Sequence, residues 1–154
     1  MCEPRKVHWV AAKHILWYLQ GTVDYGLDYR QEDGVRLAGY TDSDWAGYAS
    51  DRKSTSECCF GLDSAVVSWF RRKQQLVALS SAEAEYMVAN LASCEAIWLL
   101  KMLFGLFVQQ LRPSVIYCDN QSCIKLTENP VFHDRSKHIG INIISSETMF
   151  RREL

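Results

Sequence analysis

The stretch from Ser80 to about Leu106 most constrains what this chain can fold into, because it has few helix breakers and is apolar on most faces. It opens with the capping box Ser80-Ser81-Ala82-Glu83, in which Ser80 is the N-cap and Glu83 reaches back. The pattern predicts one long helix, and a long apolar helix needs a sheet face to pack on. Its packing stripe consists of small and apolar residues with one acid among them: Ala82, Glu85, Ala89, Ala92, Ala96, Leu99 and Leu103.

Shorter segments before and after this helix predict a sheet. Apolar side chains recur at helical spacing over residues 7–18, and Gly21 ends that helix. Two hairpins follow, one joining YGLDYR to VRLAGYTD across a turn at 33–34, and one around a turn at 63–64. SVIYCD is a strand and NQSCIKLTEN a short helix, whereas the tail RSKHIGINIISSETMFRREL is compatible with either state. This order indicates an α/β fold: an antiparallel meander plus a parallel strand in one mixed sheet, flanked by helices.

The composition fits one folded domain and excludes a strongly basic protein. Of 154 residues, 48% are hydrophobic and 23% charged, and the net charge is −1. A nucleic-acid partner would therefore be held by a local patch or by metal ions. The six cysteines form no zinc-type set of Cys-x-x-Cys pairs, so we expect reduced thiols and no disulfide-linked partner. We also expect no signal peptide, no membrane contact and an intracellular location, cytoplasmic or nuclear.

Three acidic residues lie where acids are costly. Asp42 ends one strand, Asp119 ends another just before a helix, and Glu85 lies on the packing stripe. Taken singly, Asp42 is a turn residue and Asp119 an N-cap, whereas Glu85 must be paired, metal-bound or on a different helix phase. Together the three predict an all-oxygen site for Mg²⁺ or Mn²⁺. Asp44, two residues from Asp42 on the same strand face, is an alternative ligand.

Four segments carry a family resemblance: GYTDSDWAG, DRKSTS, VSWFRRKQQLVALSSAEAEYM and IYCDNQSCIKLTENPVFHDRSKHI. In this order they resemble motifs of the ribonuclease H domain of copia-type (LTR) retrotransposon Pol polyproteins. The resemblance runs from about Pro4 to Ile139, and its leading part is similar to the segment that joins reverse transcriptase to that domain. It implies that residues 1–32 are a helix and strand of this connection and that residues 33–154 are a ribonuclease H-like domain.

The resemblance implies the ribonuclease H-like fold, with a five-stranded mixed sheet and helices on its faces. It also implies hydrolysis of the RNA strand of an RNA–DNA hybrid by two Mg²⁺ or Mn²⁺ ions, with Asp42, Glu85 and Asp119 as catalytic and metal-binding residues. The implied partners are the hybrid and the reverse transcriptase region of a polyprotein. Hydroxyl, amide and basic side chains are the candidates for contacts with sugars and phosphates: Arg52, Lys53, Ser54, Thr55, Arg71, Arg72, Lys73, Ser81 and Asn120.

The chain also departs from the family pattern. It stops at Leu154, and neither the last strand nor a fourth metal-site aspartate is recognisable before that point. We therefore expect an incomplete domain, with the last strand missing and hydrolysis impaired by the truncation. Glu57 replaces a usual glycine, and Gly140 replaces a usual acid. The alternative function is a non-catalytic nucleic-acid-binding or interaction module, or a decayed transposon fragment.

Overall fold

One mixed β-sheet organises the chain, as a computed structural model shows for residues 3–30, 36–107, 113–128 and 148–151. The elements in chain order are α1 (Lys6–Gly21), β1 (Leu37–Asp44), β2 (Thr55–Leu62), β3 (Ala65–Lys73), α2 (Ser81–Phe107), β4 (Ser114–Cys118), α3 (Gln121–Glu128) and β5 (Thr148–Arg151). The strand order is β3-β2-β1-β4-β5, antiparallel from β3 to β1 and parallel from β1 to β5. The predicted α/β fold, with a mixed sheet flanked by helices, is confirmed.

Helix α2 begins at the capping box that the sequence predicts. Ser80 Oγ accepts a hydrogen bond from the Glu83 amide at 3.2 Å. The Glu83 carboxylate accepts one from the amide of Leu79, one residue before the N-cap. Residues 81–107 contain no proline, so the helix continues to Phe107.

The core lies between α2 and one face of the sheet. Leu37, Cys58, Phe60, Ala92, Ala96, Leu99 and Ile116 form its main cluster. Ala89, Ala92 and Ala96 of the predicted stripe are buried, because their short side chains let the helix backbone approach the strands closely. A second cluster holds α3 against α2 and the end of β4: Tyr86, Ala89, Cys118 and Cys123.

By length and composition alone, the α2 segment Ser81–Leu106 could cross a membrane. Half of its apolar window is buried inside the structure. Because the buried side chains pack on the sheet, the core helix of a folded domain accounts for this apolarity.

The first predicted hairpin is wrong, whereas the second is confirmed. Residues 25–30 form no strand, and the antiparallel neighbour of β1 is β2. The Tyr29 hydroxyl donates to the Val66 carbonyl at 2.7 Å, so this segment lies beside β3 instead. The predicted turn at 33–34 lies outside the described residues, and the turn at 63–64 joins β2 to β3.

The expectation of a missing last strand is also wrong. β5 pairs in parallel with β4, from Thr148 opposite Ser114 to Arg151 opposite Tyr117. A four-residue strand is too short to give a clear periodic signal, which is why the tail sequence was ambiguous. β5 therefore covers the outer side of β4, whereas the expected impairment of hydrolysis stays a prediction. Gly140 lies outside the described residues.

Helix α1 ends at Gly21, as predicted, but contributes nothing to the core. None of its residues is buried. Its exposed apolar side chains include Trp9, Ile15, Leu16 and Trp17. The division of the chain at residue 32 stays a prediction.

Replacing Gly39 by alanine should destabilise the fold. A Cβ at Gly39 would lie 2.5 Å from Cε1 of Phe60, and the Phe60 side chain is fully buried. Because the ring cannot withdraw without opening the core, we expect Gly39→Ala to lower the free energy of unfolding by about 1–3 kcal/mol. Urea denaturation measures this change.

Gly61→Ala is the matched control on the neighbouring strand. The nearest atom to its new Cβ would be the Ala65 carbonyl oxygen at 3.7 Å, an ordinary contact. Equal losses of stability in the two variants would contradict the importance of the close approach at Gly39.

Candidate metal centre

The sheet topology brings the three predicted site residues to one edge. β1 and β4 are parallel neighbours, and their register places Thr41 beside Cys118. Asp42 and Asp119 follow these two residues, so both acids lie where the strands reach their carboxyl ends. Glu85 reaches the same edge from α2, since a carboxylate oxygen of Glu85 and one of Asp119 lie within 4.8 Å of each other.

Glu85 is a buried carboxylate without an ion-pair partner among the described residues. Its residue is 5% exposed, and none of the ion pairs within the described ranges includes it. Burial, helped by the neighbouring Cys118, Asp119 and Asp42, raises the pKa of Glu85 to about 8. An environment that disfavours the anion so strongly is one that a bound cation would relieve.

Glu85 and Asp119 belong to the tightest group of donor atoms. Glu85, Cys118 and Asp119 each offer one ligand atom, and these atoms lie within 4.8 Å of one another. The Cys118 thiol donates to Glu85 Oε2 at 3.8 Å. Asp42 lies outside this group, because strand alternation turns Thr41 into the core and leaves Asp42 exposed.

The Ser43 amide links Asp42 to Glu85. It donates to Asp42 Oδ1 at 2.8 Å, and its hydrogen bond with Glu85 opposes the rise in the pKa of that residue. Two of the three carboxylates therefore fit one coordination sphere directly, while Asp42 lies next to it. Asp44, the alternative ligand, is exposed with its carboxylate against Gly47, so it lies beside the turn that follows β1.

Asn120, and not Asp119, caps helix α3. Asn120 Oδ1 accepts a hydrogen bond from the Cys123 amide at 3.0 Å, and its carbonyl accepts one from the Ile124 amide. The interpretation of Asp119 as a helix cap is therefore wrong. Because this cap fixes the residue after Asp119, the exposed carboxylate is held next to Glu85.

Sequence reasoning missed Cys118. A hydrogen bond with Cys123 lowers the pKa of the Cys118 thiol, and the same pairing raises the pKa of Cys123. Both thiols are fully buried. The available signal was strand alternation, which places Cys118 on the core face directly before Asp119.

The candidate site extends onto the exposed face of the sheet, on the side opposite α2. Glu57 lies opposite Asp42 on β2, and its Oε1 is 2.7 Å from Nε of Arg71. A groove of about 370 Å³ runs along this face, and its walls include Asp42, Glu57, Trp69 and Arg71. The Arg71 guanidinium therefore compensates the acid that replaces a glycine at position 57.

The nucleic-acid candidates divide into buried and accessible residues. Ser54 is fully buried and Thr55 nearly so. Ser54 Oγ accepts a hydrogen bond from the Ala46 amide at 3.1 Å, which favours a structural role. Lys73 pairs with Asp51 at 2.7 Å. The partly or fully accessible candidates are Arg52, Lys53, Arg71, Arg72, Lys73, Ser81 and Asn120.

Without divalent cations, a rise in pH should destabilise the chain through Glu85. Its pKa is about 8 in the folded chain against 4.5 normally. Between these values the folded state binds more protons than the unfolded state, so stability falls as the pH rises. In Glu85→Gln this loss is absent. We therefore expect the free energy of unfolding of Glu85→Gln, minus that of the parent chain, to be larger at about pH 8 than at about pH 5 by about 2–4 kcal/mol.

Urea unfolding in EDTA at both pH values measures this difference. Glu3→Gln, at an exposed position, is the control for a change of one charge. If the parent chain and Glu85→Gln lose stability in parallel, Glu85 is not the titrating group.

No family model matches the chain. It is 41% identical over 142 residues to the retrovirus-related Pol polyprotein from transposon RE2 of Arabidopsis thaliana. It is 43% identical over 139 residues to that from transposon TNT 1-94 of Nicotiana tabacum. These matches cover 92% and 90% of this chain, but the chain spans only 10% of either polyprotein. The secreted RxLR effector protein 161 of Plasmopara viticola is 47% identical over 97 residues, which are 63% of this chain and 68% of that protein.

The fold also has a counterpart among solved structures. The crystal structure of prototype foamy virus protease-reverse transcriptase matches with a TM-score of 0.50 and 10% sequence identity, over 82% of this chain and 18% of that one. At this identity the match shows the fold alone, which is the ribonuclease H-like fold that the sequence implied. The sequence matches add the lineage: the chain belongs to the Pol polyprotein family of copia-type retrotransposons.

Proposed function

We propose that this segment is a ribonuclease H-type endonuclease that hydrolyses the RNA strand of an RNA–DNA hybrid. One observation carries the proposal: in a retrotransposon Pol relative, the Glu85 carboxylate is buried between two aspartates at the ends of adjacent parallel strands, and no ion pair within the described residues includes it. A buried acid with a purely structural role would be expected to pair with a basic side chain. A carboxylate that binds a metal ion would not need such a partner.

The residues present fit a divalent metal centre. Asp42, Glu85 and Asp119 offer carboxylate oxygens, which are the ligands that Mg²⁺ and Mn²⁺ prefer. Glu85 and Asp119 would share one ion, and Asp42 would bind from the neighbouring side of the strand end. Two such ions, when bound, supply activation of a water and stabilisation of the leaving 3′ oxygen in an in-line displacement.

The chain's own side chains hold this arrangement in place. The Ser43 amide orients the Asp42 carboxylate, and the Asn120 cap fixes the chain directly after Asp119. Burial of Glu85 excludes water from its inner side and strengthens its attraction to a cation. This set of ligands requires no serine, cysteine or histidine nucleophile.

The exposed sheet face next to Asp42 is where the substrate would lie. The groove that includes Asp42, Trp69 and Arg71 begins at the proposed metal centre. Trp69 is 71% exposed, so its ring is available for contact with sugars or bases. Arg71 would meet the backbone phosphates. Ser81 and Arg52 are exposed candidates for further polar contacts.

A second candidate function is a non-catalytic nucleic-acid-binding or interaction module. One observation favours it: 97 residues of this chain match a secreted effector at 47% identity, so related sequence occurs outside the Pol polyproteins. This candidate predicts binding of a hybrid without cleavage. The same assay therefore separates the two functions.

Purified chain should cleave the RNA strand of a labelled RNA–DNA hybrid in millimolar Mn²⁺ or Mg²⁺ and should be inactive in EDTA. Glu85→Gln and Asp42→Asn should each lower the cleavage rate at least about tenfold, because each removes a metal ligand. Gel electrophoresis of the separately labelled strands measures the rate and shows which strand is cut.

Asp44→Asn is the matched control, since Asp44 lies on the same strand with its carboxylate against Gly47. Its rate should stay close to that of the parent chain. Cleavage that persists in Glu85→Gln would indicate a contaminating nuclease. Hybrid binding without metal-dependent cleavage would support the second candidate.

A further inference from the structure

A thiol lies inside the carboxylate cluster. Cys118 Sγ is 3.8 Å from Glu85 Oε2, and these two groups and Asp119 offer ligand atoms within 4.8 Å of one another. Cys118 is fully buried and Glu85 is 5% exposed, so both are fixed by the surrounding packing. The proposed centre for Mg²⁺ or Mn²⁺ uses only the oxygens and gives this sulfur no role.

Sulfur changes which cation the cluster suits. Hard cations such as Mg²⁺ take oxygen ligands, whereas thiolates favour softer ions such as Zn²⁺. At Zn–S distances of about 2.3 Å and Zn–O distances of about 2.0–2.2 Å, a tetrahedral ion places sulfur and oxygen roughly 3.6 Å apart. The observed separation of 3.8 Å between Cys118 Sγ and Glu85 Oε2 is close to this value.

The surroundings of Glu85 also favour a bound cation. The residue is more than nine-tenths buried, and its carboxylate accepts hydrogen bonds from the Cys118 thiol and the Ser43 amide, neither of which carries a compensating positive charge. No lysine, arginine or histidine in the described parts of the chain forms an ion pair with it. A buried acid of this kind is strongly destabilising unless a cation compensates it.

We propose that Glu85, Cys118 and Asp119 form a binding site for a thiophilic divalent cation, with Zn²⁺ the best match. The three protein ligands leave one tetrahedral position, which Asp119's exposure leaves open to water. The site does not depend on hydrolytic activity. Because it uses two of the three carboxylates, Zn²⁺ and the proposed Mg²⁺ or Mn²⁺ ions would compete for the same edge of the sheet.

Cobalt is the spectroscopic probe for this site, in the full chain and without nucleic acid. Titration with Co²⁺ should produce the near-ultraviolet charge-transfer absorption of a thiolate–cobalt bond, and Zn²⁺ should displace it. Cys118→Ser should abolish this absorption and weaken Zn²⁺ binding, measured by calorimetry, at least about tenfold. Cys94→Ser, which removes an exposed thiol on the same helix as Glu85, should change neither.

If Cys118→Ser fails to fold, Asp119→Asn tests the site instead. Asp119 is exposed, so this change should leave the fold intact. This variant should keep the thiolate–cobalt absorption but bind Zn²⁺ more weakly. The proposal is overturned if the parent chain shows no thiolate–cobalt absorption at millimolar Co²⁺. It is overturned equally if that absorption survives in folded Cys118→Ser. Neither result depends on hybrid cleavage. Failure of the Zn²⁺ proposal would therefore not decide the proposed endonuclease function, which the cleavage assay tests separately.

Discussion

The close packing of α2 on the sheet is the constraint on which the rest of the structure depends. Ala89, Ala92 and Ala96 are fully buried on the packing side of the helix, and Gly39 leaves room for the Phe60 ring on the strands below. Glu85 lies one turn before Ala89 on the same stripe, so the packing that buries the alanines also carries the carboxylate to the strand ends. A larger residue on this stripe would lift the helix and move the acid away from Asp119.

Burial of Glu85 at the strand ends lowers the stability of the folded chain but leaves a negatively charged site for a cation. The same burial that fixes Glu85 raises its pKa, and Asp42 and Asp119 add negative charge around it. Two cations of β3 are paired with other acids, Arg71 with Glu57 and Lys73 with Asp51. The strand ends therefore present negative charge that no ion pair within the described residues compensates at Glu85, which is the arrangement expected of a cation site.

The sequence predicts those features that a residue pattern or the length of a connection indicates. Glu85 was identified because an acid on a stripe of alanines is unusual at any position, and the long α2 connection indicated that β1 and β4 are parallel. The cap of α3 could not be assigned, since Asp119 and Asn120 are adjacent and both residue types cap well. The catalytic roles of the carboxylates stay predictions.

Other misses have equally specific causes. The turn signal at 33–34 is local, whereas the neighbour of β1 is decided by the apolar face that β2 supplies through Cys58 and Phe60. β5 gave no signal because it has only four residues. Cys118 was overlooked because a buried cysteine normally serves as a small apolar residue, and only the three-dimensional contact with Glu85 shows otherwise.

The position of β1 at the centre of the sheet has a kinetic consequence. β2 and β3 follow β1 directly along the chain, so the antiparallel half of the sheet closes short loops. The pairing of β1 with β4 must close a loop that contains all of α2, and such long-range pairing is slow. The edge that gathers Asp42, Glu85 and Asp119 is therefore assembled late in folding. A cation bound there would act mainly as a brake on unfolding, lengthening the lifetime of the native state while leaving the rate of folding nearly unchanged.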